Sequence, residues 1–127
     1  MEFTIRSKKR EEIIDITEQV ESIVEKRKGQ ACLVYVPHAT CAIIVNENYD
    51  DAVCRDIIKW LKKQVPEGIW EHDKIDSNAD AHIKASIIGP GQMIPIENGK
   101  MQLGRWQNIA LAEFDGPKER KIIVKVM

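Results

Sequence analysis

Met93-Ile94-Pro95-Ile96 and Lys100-Met101-Gln102-Leu103 flank Asn98-Gly99, and the reading of this stretch decides the fold. Two strand-like runs on either side of Asn-Gly are the signature of a type I′ hairpin, because both central residues must accept positive φ. Downstream, residues 106–114 and 120–126 read as another strand pair around Asp115-Gly116-Pro117-Lys118-Glu119. Strands that follow one another through hairpins pair antiparallel, so the C-terminal third predicts a mainly antiparallel sheet. Pro95 marks an edge or irregular strand, since it cannot donate to a ladder.

The upstream sequence adds helices to that sheet. Residues 2–6 alternate like a strand. Asp15 with Glu18 offers a capping box, and Val20, Ile23 and Val24 form an apolar stripe that Gly29 ends. Residues 31–36 and 41–45 are short apolar runs of the kind found in covered strands. Asp50 and Asp51 open a second helix whose core side is predicted to be Val53, Ile57, Trp60 and Leu61, with Pro66 as its stop. A third helix is predicted over 77–88, capped by Ser77 with Asp80 and stopped at Gly89-Pro90. Six or seven strands and three helices make an α+β fold: one domain over residues 1–127, a mainly antiparallel (mixed) sheet or sandwich with helices packed on it.

Composition excludes several function classes. Nineteen basic and 20 acidic side chains leave a net charge of −1, and their interspersion gives nucleic acid or acidic lipid no basic face to grip. No apolar run reaches the ~20 residues of a membrane span. The first residues lack the apolar core of a signal peptide, so a cytoplasmic protein is expected. Three cysteines, Cys32, Cys41 and Cys54, make neither an even disulfide set nor a C-x-x-C pair. Cys32 and Cys54 read as small buried hydrophobes. Cys41 follows His38-Ala39-Thr40, but that separation does not establish a thiol–imidazole contact. G-x-G-x-x-G, P-loop and G-x-S-x-G motifs are absent.

Polar chemistry collects in a few places. Asp76-Ser77-Asn78-Ala79-Asp80-Ala81-His82-Ile83-Lys84 puts Asn78 with His82, and Asp80 with Lys84, at i,i+4 spacing near a positive helix end suited to a metal or an anion. The same residues also fit a solvated surface helix. His38 stands between two apolar strands, where a turn role competes with ligation. His72 follows Trp70-Glu71 in a polar connection, where full solvation competes with ligation in a three-histidine site. Asn46-Glu47-Asn48 emerges at a strand end, a good place for a site and equally a polar turn. Arg105 offers a planar fork to phosphate, and Gln107 follows Trp106 near a strand.

Taken in order, Pro37-His38-Ala39-Thr40-Cys41-Ala42 with Val45-Asn46-Glu47-Asn48, then Asp76-x-Asn78-x-x-Ala81-His82-Ile83-Lys84-Ala85-Ser86, then Leu103-Gly104-Arg105-Trp106-Gln107, then Glu113-Phe114-Asp115-Gly116-Pro117, closely resemble the YjbQ-type family, also described as the secondary thiamine-phosphate synthase family. The resemblance runs from about residue 3 to 126. It implies a homotrimer with a polar pocket near the subunit boundary and a weak activity joining a pyrimidine pyrophosphate to a thiazole phosphate. The family's motifs fall on His38, on Asn46 and Glu47, on Asn78 and His82, and on Trp106 and Gln107. Two departures stand out: Arg105 where the family more often has a small hydroxyl residue, and Thr40-Cys41 where Thr-Ala is common.

The resulting expectation is an enzyme for a phosphorylated small molecule that uses a divalent cation (Zn, Mg or Mn). His38 and His82 are its metal ligands or acid/base groups, with Glu47 as carboxylate partner. Thr40, Asn46, Asn78 and Gln107 orient substrate, while Lys84, Arg105 and the helix N-terminus hold phosphate. Two rivals carry other consequences: a non-catalytic metal- or metabolite-binding homotrimer, and a structural trimer whose polar residues satisfy one another.

Overall fold

The computed structural model describes residues 1–127, and every strand pair in it is antiparallel. The chain runs through β1 (Glu2–Arg6), β2 (Glu12–Asp15), α1 (Thr17–Val24), β3 (Ala31–Tyr35), β4 (Cys41–Asn46) and α2 (Asp51–Gln64). A 3₁₀ turn (Glu71–Lys74) follows, then α3 (Ala79–Ile88), β5 (Gly91–Glu97), β6 (Lys100–Met101), β7 (Asn108–Glu113) and β8 (Glu119–Val126). The strands form a five-stranded sheet in the order β1-β8-β3-β5-β6 and a three-stranded sheet in the order β2-β7-β4. The α+β expectation holds, with two sheets and three α-helices.

Local chemistry accounts for the elements. Asn98 (φ 52°) and Gly99 (φ 77°) both take positive φ, as the type I′ turn between β5 and β6 requires. Pro95 sits opposite Ala31 in β5, on the stretch that β6 leaves uncovered by pairing only with Ile96 and Glu97. Alternation sets the core. Cys32 and Val34 of β3, Ile122 and Val124 of β8, and Ile109 and Leu111 of β7 fill the space between the sheets, closed by Val20, Ile23 and Val24 of α1. β7 is buried along its whole length. Its other face presents Ala112, which with Ala42 of β4 lets Ala81 and Ala85 of α3 approach closely.

Four expectations change. α3 begins at Ala79, not residue 77, and Ser77 does not cap it, because Asp73 supplies the carboxylate that accepts from Ala79 N at 3.1 Å. Asp80 therefore turns to other partners. Asp15 ends strand β2, which the sequence reading lacked, while still accepting from Thr17 N at 2.9 Å. On α2, Asp50 caps Ala52 N as expected, but only Leu61 is buried. Val53, Ile57 and Trp60 instead line an open groove of about 730 Å³ against β4 and α3, with Trp60 57% exposed. Cys54, on the same helix, is only partly buried.

Candidate functional site

The phase of β7 and β8 carries two charges into the space between the sheets. Glu113 continues the Ile109/Leu111 face and Arg120 the Ile122/Val124 face, so both are buried and must pair. Arg120 Nε donates to Glu113 Oε1 at 2.9 Å, and Nη2 donates to Glu113 Oε2. Ser7 Oγ and the amides of Phe114 and Asp115 also donate to this carboxylate. Burial alone raises the Glu113 carboxyl, but these donors outweigh it and hold the group below its ordinary value. Thr40 belongs to this network: its Oγ1 accepts from Arg120 Nη2 at 2.8 Å and it is buried, which leaves it no open face for substrate. Cys41 lies alongside, and burial pushes its thiol up to about 12, which removes it as a nucleophile near neutrality.

His38 stands where β3 has turned away from β8. Its Nε2 accepts from Lys121 N at 2.8 Å, continuing the ladder by one side-chain bond. Burial, then the Arg120 charge, lowers its pKa. The ring is a neutral Nδ1–H tautomer with Nε2 committed.

His82 lies elsewhere, in a cavity of about 390 Å³ lined with Trp70, Glu71, His72 and Ala79. The His72 and His82 ring centroids are 5.0 Å apart with planes at 83°. Asn78, which is buried, joins this group to the connection between β7 and β8: its Nδ2 donates to Asp115 Oδ2 at 2.8 Å, and its Oδ1 meets His72 Nε2 at 3.1 Å. Asp73 bridges Trp70 N and Ala79 N, both at 3.1 Å, and so clamps the 3₁₀ turn onto the start of α3. No hydrogen bond or ring contact joins His38 to His82.

Lys84 is sealed. Its Nζ donates to Asp80 Oδ2 at 2.8 Å and to Glu11 Oε2 at 3.3 Å, with no solvent exposure. Arg10 grips Asp80 from the other side at 3.0 Å. The phosphate role expected of Lys84 and the helix N-terminus thus meets two obstacles: a buried ammonium already paired with two carboxylates, and an Asp73 carboxylate already at the first amide.

The remaining candidates gather at the opposite end of the β4–β7 ladder, where Asn46 pairs with Asn108. Exposed Asn46 turns its Oδ1 onto Glu47 N at 2.6 Å, and Gln107 Oε1 accepts from Gly104 N at 2.8 Å. Tyr49 packs edge-on to Trp106 at 6.1 Å, and Arg105 lies 4.9 Å over the Trp106 ring. The six pairs from Cys41↔Glu113 to Asn46↔Asn108 separate this end from the His82 end by roughly 17 Å. One chain therefore does not bring Glu47 and His82 together. His72, Asp73 and Asp115 were missed as members of the His82 group. Trp70-Glu71-His72-Asp73 ahead of the helix was the available signal, and it required recognising a 3₁₀ turn folded back on α3.

Known proteins resemble this chain over its full length. The family model "UPF0047 protein YjbQ-like" matches residues 1–127. A UPF0047 protein of Archaeoglobus fulgidus is 49% identical, with 100% of each chain covered. YugU of Bacillus subtilis is 39% identical over 97% of this chain and 95% of its own. A crystal structure of a YjbQ/UPF0047 protein from Clostridium acetobutylicum superposes with a TM-score of 0.95 at 42% identity, covering 100% and 99% of the two chains. A YbjQ-like protein of unknown function from Sulfolobus solfataricus gives 0.95 at 40%, covering 99% and 94%.

Proposed function

The chain belongs to the UPF0047 family of YjbQ-like proteins, and from that premise we propose a small-molecule enzyme of the secondary thiamine-phosphate synthase type. It joins a pyrimidine pyrophosphate to a thiazole phosphate with loss of pyrophosphate. The observation that carries this reading is the His82 cavity at the head of α3, backed by buried Asn78 and its hydrogen bond to half-buried Asp115. Imidazole beside a buried polar support is the arrangement acid/base and metal chemistry both use. His82 would hold a divalent cation, which would supply positive charge against a departing pyrophosphate. Nitrogen donors suit Zn better than Mg, which favours oxygen. His38 serves from its Nδ1–H as a donor.

The separation along the ladder calls for a second copy. In a homotrimer the Asn46, Glu47, Arg105 and Gln107 end of one chain faces the His82 end of its neighbour, and the exposed Trp60 and Ile87 beside the groove are covered. Arg105, the exposed cation of the set, then binds substrate phosphate. The test is turnover of the two phosphorylated substrates by His82→Ala, by Glu47→Ala and by a mixture of the two. Each variant alone is inactive, and mixed assemblies regain activity because some interfaces hold both wild-type residues. Full activity in either variant sinks the reading. The sealed Lys84 favours one rival, a binding module without turnover, which saturable binding of the same compounds with no product identifies.

A further inference from the structure

We infer that His72 and His82 together form a transition-metal site of the zinc class. This names the second protein ligand of the cation invoked above, and it rests on that reading only for the use to which the metal is put.

Three observations converge on the pair. The first is spacing. With Zn–N of about 2.0–2.1 Å and ring centres about 1.2 Å farther out, two imidazoles on one tetrahedral ion have centroids about 5.2 Å apart. The observed separation is 5.0 Å, with the ring planes at 83°. The second is the hydrogen bonding behind His72. Asn78 Nδ2 is committed as donor to Asp115 Oδ2, so Asn78 Oδ1 faces His72 and Nε2 must carry the proton. That leaves the Nδ1 lone pair. A ligating imidazole whose other N–H is held by a buried oxygen with a carboxylate behind it is the usual outer-shell arrangement of metal-bound histidine. The third is preorganisation. The two histidines are ten positions apart in sequence, and Asp73 holds them together by accepting from Trp70 N and Ala79 N.

The site is open. The rings line a cavity of about 390 Å³ whose wall also carries Glu71, and the positions left on the ion fall to water and substrate oxygens. His38 takes no part, because its Nε2 is occupied by Lys121 N.

Chelator-dialysed protein titrated with Co2+ and Zn2+ tests the assignment, read by metal content after gel filtration and by paramagnetic broadening of histidine ring resonances. The expected result is one ion per chain, with the His72 and His82 signals broadened and the His38 signal sharp. His72→Ala and His82→Ala abolish stoichiometric binding, His38→Ala retains it, and Asn78→Ala weakens it by about 10–100-fold. Because His72 is exposed, its variant folds and decides the matter even if Asn78→Ala does not. Stoichiometric binding that survives His72→Ala, binding lost in His38→Ala alone, or no binding at one ion per chain overturns the inference. Turnover by metal-free protein refutes the use of this site in catalysis and spares the enzyme reading; a loaded site without turnover upholds the site and refutes the enzyme reading.

Discussion

Replacing Arg120 by methionine deprives the Glu113 carboxylate of its only cationic partner in the space between the sheets. Glu113 is fully buried and Arg120 is 4% exposed, so water cannot replace what is lost. Breaking such a pair from one side costs about 3–5 kcal/mol, because it strands an uncompensated charge. With an unfolding entropy of about 2.1 cal/mol/K per residue, or about 0.27 kcal/mol/K for 127 residues, the melting temperature falls by about 11–19 °C. Glu113→Gln, which strands the guanidinium, falls in the same range. Glu113→Leu/Arg120→Met removes both charges and costs less than the sum of the singles, but it does not return to wild type. Ser7 Oγ and the Phe114 and Asp115 amides lose their acceptor, and each orphaned donor costs about 1–3 kcal/mol. Acid supplies a second handle. The folded pKa of Glu113 lies below its ordinary value, so wild type keeps this stabilisation above that value and loses it as pH falls through the folded one. In Arg120→Met burial is left to raise the carboxyl, so acid relieves the variant and the stability gap narrows. Thermal melts of the four proteins at pH 7 and pH 4 measure all of this. Additive singles, or a gap that widens in acid, would refute a charge-pairing origin.

Three further outcomes follow from the same geometry. His38→Ala hands the exposed Lys121 amide to water and costs about 0.5–1.5 kcal/mol. Because the folded His38 pKa lies below the ordinary 6.5, the variant also flattens the loss of stability seen as pH falls below that value; denaturant titrations at stepped pH measure both. Gly116→Ala drives a methyl group against Lys9 O and to within 2.6 Å of Ser7 Oγ, which costs about 1–3 kcal/mol in chemical denaturation. Cys41, with its thiol at about 12 and its side chain buried, resists a disulfide exchange reagent at pH 8 in native protein and reacts on denaturation, whereas partly buried Cys54 reacts sooner.

The fold was legible wherever one residue carried its own conformational demand. Asn98-Gly99 required positive φ at two successive positions, and the alternation of Ile122 and Val124 required a covered face. Legibility failed where a distant residue outbid a local one. Ser77 and Asp80 have capping-box spacing, yet Asp73 takes the open amide while Arg10 and Lys84 take Asp80. β2 hides because four residues between a charged run and a helix are too few to show a period. Trp60 had the phase of a core residue, but this chain supplies nothing to cover it. Of the site, Asn78 with His82 was visible as an i,i+4 pair. His72 was not, because its relation to His82 depends on the Asp73 clamp and on Asp115, which arrives from the distant β7–β8 connection.

The pairing of β1 with β8 and of β2 with β7 also sets when this chain can fold. Strands within its first fifteen residues find their ladder partners at Asn108–Glu113 and Glu119–Val126. While a ribosome is still adding residues, the early segment has no neighbour to pair with, and its apolar positions wait for the last strand. Closure then spans more than a hundred residues, as the Ser7–Glu113 bond already does, so folding is slow for a domain of this size. During that interval the unpaired edges and apolar faces of the early strands are the surfaces most open to association with other chains.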